Sequence, residues 1–376
     1  MGTRVKGARA GRLDSLTSLR FVAAAWVVLV HYGQAPLAAW GAPAFVHAFV
    51  AHGYLGVPFF FVLSGFVLAW NYPPARLAPA GEKTRFLVAR FARVYPLYFL
   101  ALLLMGTPLI LEILFRGAAV YFPWGAIARS TFLVQEWDPL FPRWNPAGWS
   151  LSVEAFLYLS FPLLVGPLVR GGTRRWVVLA VALVGWCVAV VLVHLRPLLH
   201  LLTFCAGILL ANHVANQPTS RRFTPGGMVV AGLALGLITI FALDHLPSLS
   251  VWMPLRLAPF LLQTFALVPA ILLVMWGMAR ADRTTHTLLD ARWFVALGEW
   301  SYGVYILQDP LAAVFTELES LSNIHLAAGS HFLLYGTALV ATAGFLNRSF
   351  EKPLRRRIVS WYDGRQASRQ ADPQPV

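Results

Sequence analysis

Apolar runs long enough to cross a bilayer recur along nearly the whole chain, and no other feature constrains its fold so tightly. They fall at about 17–33, 53–71, 91–115, 148–169, 176–194, 197–213, 228–244, 255–278, 295–318 and 329–348. A hydrocarbon core about 30 Å thick takes about 20 helical residues to span. Several runs contain Pro or Gly, which membrane helices tolerate where neighbours satisfy the freed backbone groups. The run at 197–213 is the shortest. Of 376 residues, 58% are hydrophobic and only 12% charged, too few to cover a soluble domain of this size, so the apolar excess faces lipid. The sequence therefore predicts an all-α, polytopic integral membrane protein with about ten transmembrane helices.

The formal charge of +14 would suit a nucleic-acid binder, but the basic residues form no single patch. With a cytoplasmic N-terminus, twenty-five of the thirty Lys and Arg fall in loops on the inner side. Arg116, Arg129, Arg143, Arg196 and Arg256 remain outside. This alternation sets the orientation, with both termini cytoplasmic and no nucleic-acid partner expected. The chain divides into a basic N-terminus (1–15), a transmembrane domain (16–350) and a basic tail (351–376) that reads as disordered from Gln366. Residues 116–147, rich in Pro and Trp, form the longest loop. No internal repeat is visible, which disfavours transporters built from repeated halves. Cys187 and Cys205 sit in apolar runs as small buried hydrophobes, with no metal-ligand spacing. Asp244, His245 and Asp309 lie near predicted helix ends and read as solvated.

Two polar outliers stand inside predicted helices. Arg20 and His31 are eleven residues apart, which returns to nearly the same azimuth after a rise of about 16 Å. Glu154 lies about 8 Å inward from the interfacial Trp149, in the same outer half as His31. A carboxylate at that depth costs about 2.5–3.5 kcal/mol and needs a partner or a wet cavity. His31 is the expected partner, since a His–carboxylate pair can take a proton from a hydroxyl. The competing reading is structural, with Arg20 snorkelling and His31 and Glu154 clamping helices together. Arg85, Arg90 and Arg93 cluster at the cytoplasmic end of the third helix, where they are either phosphate ligands of an anionic donor or ordinary positive-inside charge. Ser64 and Gly65 are a small pair for close helix packing or for a tunnel wall, to which Tyr95 and Ser152 are also assigned. Trp144, Asn145 and Trp149 have the aromatic and polar mix that binds sugar rings, although interfacial anchoring explains the Trp residues equally well.

These pieces line up in order with a known family. They are Leu16-Thr17-Ser18-Leu19-Arg20 with His31, Gly56 to Phe66, Arg90-Phe91-Ala92-Arg93-Val94-Tyr95-Pro96, and Trp149-Ser150-Leu151-Ser152-Val153-Glu154. Phe204-Cys205-Ala206-Gly207, Leu297-Gly298-Glu299-Trp300-Ser301-Tyr302-Gly303-Val304-Tyr305 and Phe350-Glu351-Lys352-Pro353 complete the set. The chain resembles the membrane-bound acyltransferase-3 family, the bacterial acetylases of O-antigens, exopolysaccharides and some macrolides. The resemblance implies a ten-helix inner-membrane enzyme that moves an acetyl or short acyl group from cytoplasmic acetyl-CoA to a hydroxyl outside or within the membrane. It casts Arg20 and His31 as essential, Arg90 and Arg93 as donor-side residues and Glu154 as an active-site acid, with no metal. Two departures stand out: Gln308-Asp309-Pro310 where the family often has His before Pro, and Thr17 where an Asp is common, leaving Asp14 as its stand-in. No fused extracytoplasmic domain is expected.

The expected acceptor is a glycan or lipid-linked saccharide. The alternative functions are a flippase for such a saccharide, with His31 and Glu154 as a proton relay, and a non-catalytic partner of glycan-assembly proteins.

Overall fold

The structure, a computed structural model, describes residues 14–117, 121–138, 142–191, 195–216, 224–244, 265–281 and 288–371. The N-terminal segment 1–13, His245, Arg256 and the first part of the predicted span 255–278 lie outside these residues. Among the described residues there are helices and turns and no strands, as lipid requires of a chain this apolar.

Each of the ten predicted spans coincides with helix in its described part. α1 is Asp14–Tyr32, α2 Gln34–Ala39 and α3 Ala44–Ala51, which leads through a 3₁₀ turn at Gly53–Leu55 into α4, Gly56–Asn71. α5 is Glu82–Leu104, α6 Thr107–Arg116, α7 Trp124–Thr131 and α8 Trp149–Arg170. Then follow α9 Thr173–Val191, α10 Arg196–Leu199, α11 Leu201–Asn216, α12 Pro225–Asp244 and α13 Val268–Arg280. The last are α14 Arg292–Ser322, α15 Ala328–Leu346 and α16 Lys352–Ala371, the latter two joined by a π stretch at Asn347–Glu351. Seven helical stretches are long and apolar enough to cross a membrane by length and composition. The protein is an all-α, multi-pass membrane protein.

Close backbone approach builds the core. A Cβ on Gly65 of α4 would fall on the carbonyl of Phe204, and one on Gly207 of α11 would fall on that of Val62. The two helices thus meet backbone to backbone through reciprocal glycines, which lipid-embedded helices use where no hydrophobic drive separates side chains from solvent. This is why the short run around 197–213 can serve as a full packing partner, with Phe204, Cys205 and Ile208 fully buried. Gly298 plays the same part between α14 and α1, where a Cβ would meet the backbone of Thr17. Ser18 closes that contact by donating to the carbonyl of Leu289 at 2.5 Å.

Three details differ from the sequence reading. The tail does not become disordered at Gln366, because α16 packs along α5 and continues to Ala371, with Gln366 bonded to the Tyr362 hydroxyl at 3.0 Å. Cys205 is buried as expected, but Cys187 is exposed on α9. Asp309 is not solvated: it lies within α14 and accepts hydrogen bonds from the Tyr32 hydroxyl at 2.5 Å and the Ala147 amide at 2.7 Å. The described part of the long loop is docked, with Glu136 only 2% exposed between Arg143 and Arg196.

Candidate active site

Asp309 gives the site its outer reference level, because it ties Tyr32 at the end of α1 to Ala147 just ahead of α8. Going inward from there, α8 carries Ser150, Leu151, Glu154 and Tyr158 on one face, as spacings of three and four residues require. These four line a central cavity of about 100 Å³ together with Arg20, Arg90, Arg93 and Ser64. Tyr302 and Tyr305 of α14 complete its wall. Tyr302 is fixed by donating to the carbonyl of Val94 at 2.7 Å, in the turn before Pro96 of α5.

Within the cavity Glu154 accepts hydrogen bonds from the Tyr158 hydroxyl and, at 3.5 Å, from Ser64. Ser64 therefore lines the cavity while its neighbour Gly65 makes the helix contact. Arg90 is only 7% exposed and its Nε has no hydrogen-bond partner among the described residues. Its guanidinium lies 5.5 Å from the ring of Tyr72 and 5.9 Å from that of Phe86. A buried guanidinium nitrogen without an acceptor is rare, because leaving it unpaired costs about 1–3 kcal/mol or more.

Toward the inner side the central cavity adjoins a second one of about 230 Å³, with Arg20, Leu63, Val67 and Arg93 lining both. Glu299, Glu351, Lys352 and Arg355 line the far wall of this second cavity. Lys352 pairs with Glu299 at 2.7 Å, and Glu351 accepts from Asn347 at 3.1 Å. Across both cavities Arg20, Arg90, Arg93, Lys352 and Arg355 face only Glu154, Glu299 and Glu351. The path is net cationic.

Other expected site residues have different partners. Arg85 is turned away from the cavities and forms a two-point bond with Asp363 of α16, at 2.8 and 3.0 Å. His31 is exposed, bonds through Nδ1 to the carbonyl of Val27 at 2.8 Å, and does not line the central cavity. The expected His31–Glu154 hydrogen bond is not formed. Glu154 lies seven residues inward from Ala147, about 10 Å deeper than the level of Tyr32. The outer end of the cavity comes closer: Gly56 abuts Val27, the next residue Val57 lines the cavity, and His31 lies one turn, about 6 Å, beyond Val27.

Ser152 does not line the cavity; its hydroxyl is buried and donates to Leu133 at 2.7 Å, anchoring the loop. Tyr95 donates to the Thr131 carbonyl at 3.0 Å and borders a lipid-side groove rather than the central cavity. Trp144 donates to the Leu102 carbonyl at 2.7 Å, Asn145 to that of Ile306 at 3.2 Å, and Trp149 lies under Arg196 at 5.0 Å. Sequence reasoning gave no site role to Tyr158, Tyr302, Tyr305, Lys352 or Arg355, although Tyr302, Tyr305 and Lys352 stand within the motifs quoted above. For Tyr158, one turn after Glu154, and Arg355, one turn after Glu351, helical spacing was the available signal.

A cationic path thus leads from one membrane face to a carboxylate held inside the helical bundle. The chain belongs to the acyltransferase-3 family, whose acyltransferase domain matches residues 13–347. It is 30% identical over 338 residues to Acyltransferase MdmB of Streptomyces mycarofaciens, across 80% of this chain and 79% of that protein. Protein 2 in picA locus of Rhizobium radiobacter is 42% identical over 95 residues, 25% of this chain and 44% of the relative. No solved structure matches the chain significantly. The protein is a membrane acyltransferase.

Proposed function

We propose that the protein takes an acetyl or short acyl group from cytoplasmic acyl-CoA and passes it to a hydroxyl of an extracytoplasmic or membrane-associated glycan, in the bacterial inner membrane with both termini inside. The observation that supports the donor is the charge of the path, five cations against three carboxylates, with Arg90 Nε buried and without a partner among the described residues. Phosphate groups complement such a cluster, and guanidinium forks bind them at two points. Arg355 and Lys352 replace Arg85 in this reading, because they line the mouth and Arg85 does not.

With its nucleotide at the mouth, the donor extends its pantetheine arm past Arg20 and Ser64 to the outer end of the cavity, beside Val57 and Ser150. The thioester carbonyl then lies about one turn beneath His31. The acceptor oxygen attacks the carbonyl carbon as His31 takes the hydroxyl proton. The carbon–sulfur bond breaks, and the departing thiolate receives that proton from the imidazolium. General-base assistance of this kind contributes about 10²–10⁴-fold. Glu154 acts as a positioning residue, holding the Tyr158 hydroxyl and balancing the arginines around the arm.

Membrane vesicles carrying the protein and supplied with acetyl-labelled CoA test the reading. Wild type should give a labelled, alkali-labile ester, and His31→Ala at equal membrane level should give none. Ester formation by correctly inserted His31→Ala protein would remove the proposed base. Failure of wild type to bind or use any acyl-CoA would remove the donor.

A further inference from the structure

A second space meets the central cavity from the side. A groove of about 380 Å³ runs between α5 and α8, walled by Leu87, Val88, Phe91, Leu133, Ala155 and Leu159. Phe91 and Leu159 are 51% and 63% exposed, so the outer edge of the groove opens on the bilayer. Its inner wall is shared: Arg90, Val94, Leu151, Glu154 and Tyr158 line both groove and cavity. From Leu87 to Tyr95 the groove follows α5 for about 12 Å. Leu133 adopts φ +57°, a left-handed conformation uncommon for a residue with a side chain, while Ser152 holds its carbonyl at 2.7 Å. That local strain sets a leucine, with no glycine's freedom, at the wall of the groove.

The distribution of polarity selects the occupant. The groove is hydrocarbon along its length and polar where it meets the cavity, while Tyr95, its other polar residue, has its hydroxyl turned to the Thr131 carbonyl. An acyl chain ending in a thioester has the same pattern. A sugar would have to leave water and cross hydrocarbon to reach this point, at a cost of several kcal/mol for each unpaired polar group. The volume also falls in the range of small-ligand sites, about 300–1,000 Å³, far beyond the needs of one methyl group.

We propose that this groove receives the hydrocarbon tail of the donor, so that the enzyme favours acyl groups longer than acetyl. The inference rests on the acyl-CoA reading above and specifies which acyl group that donor carries. Each methylene moved from water to an apolar site favours binding about fourfold. Hexanoyl-CoA, with four more methylenes than acetyl-CoA, should therefore bind at least tenfold more tightly, even with part of the tail touching lipid.

The full chain in lipid nanodiscs, loaded with labelled acetyl-CoA, is titrated with unlabelled CoA, acetyl-CoA and hexanoyl-CoA below its micelle concentration. The expected result is a hexanoyl advantage of tenfold or more in wild type, reduced below threefold in Ala155→Trp, with CoA binding unchanged. Val88→Trp, on the opposite wall, should do the same and replaces Ala155→Trp if that variant does not bind CoA. An advantage below tenfold in wild type, or one that survives a tryptophan in a protein that still binds CoA, overturns the inference. Absence of binding by CoA and acetyl-CoA in wild type overturns the donor reading instead, so the two failures are distinct.

Discussion

Arg85 and Arg90 are five residues apart on one helix, and the structure predicts opposite consequences for the same substitution. Arg90 lines the central cavity, buried and with no partner for its Nε among the described residues, while Arg85 is 38% exposed and committed to Asp363. A hydrogen bond from Arg90 to a donor phosphate is worth about 1.5–3 kcal/mol. Arg90→Gln should therefore raise the apparent KM for acyl-CoA about 10- to 150-fold. Its effect on thermal stability should be small, because the cation–π contacts it loses lie near the 6 Å limit, worth about 0.5 kcal/mol, and the substitution also relieves an unsatisfied buried cation. Arg85→Gln removes an exposed ion pair worth about 0–1 kcal/mol and should leave KM within about twofold. The assay is initial-rate kinetics on vesicles with equal amounts of each protein, varying acyl-CoA at saturating acceptor. A KM for Arg90→Gln within threefold of wild type, or an equal rise for Arg85→Gln, would refute the assignment of the cationic path to the donor.

Glu154→Gln should tighten CoA binding while lowering turnover more than about tenfold, since it removes a negative charge from the polyanion's cavity and weakens the hold on Tyr158; weaker CoA binding measured by displacement would contradict this. Asp309→Ala leaves the Tyr32 hydroxyl and the Ala147 amide without their acceptor, at about 1–3 kcal/mol each, and should lower the thermal inactivation midpoint. An unchanged midpoint would show that the tie contributes nothing. Gly207→Val should destabilise the α4–α11 contact by about 1–3 kcal/mol or more, read as faster inactivation in detergent, because the added carbons meet the backbone of Val62.

Much of this architecture was legible in the residues. The apolar runs gave the spans because length and hydropathy are local properties; Arg20 and Glu154 stood out as polar groups where lipid penalises them, Arg90 and Arg93 as a basic cluster at a helix end, and Ser64 as one of a small pair. All five line the central cavity. The meeting of His31 with Glu154 was not legible: it depended on the relative depth of two helices, which is set by the Tyr32–Asp309–Ala147 tie rather than by either helix alone. Asp309 was misread as solvated because its partners, the Tyr32 hydroxyl and the Ala147 amide, come from distant parts of the chain and meet it only in the fold, near the middle of a 31-residue helix. Arg85 followed the same basic pattern as Arg90, and only the return of α16 against α5 separates their roles. Trp144 and Asn145 looked like ligands for sugar, yet their amide and indole groups satisfy backbone carbonyls brought close by docking of the loop.

α1 is bonded near both ends, by Ser18 to the stretch before α14 and by Tyr32 to α14 itself, with Gly53 and Gly56 seated against its middle. Held in this way it works as a molecular ruler: the guanidinium of Arg20 and the imidazole of His31 are graduations on one stiff rod. Under the proposed acyl-CoA mechanism, a donor cut short by a few bonds in its arm would register at the first mark and never reach the second, and a single helix would select for carrier length.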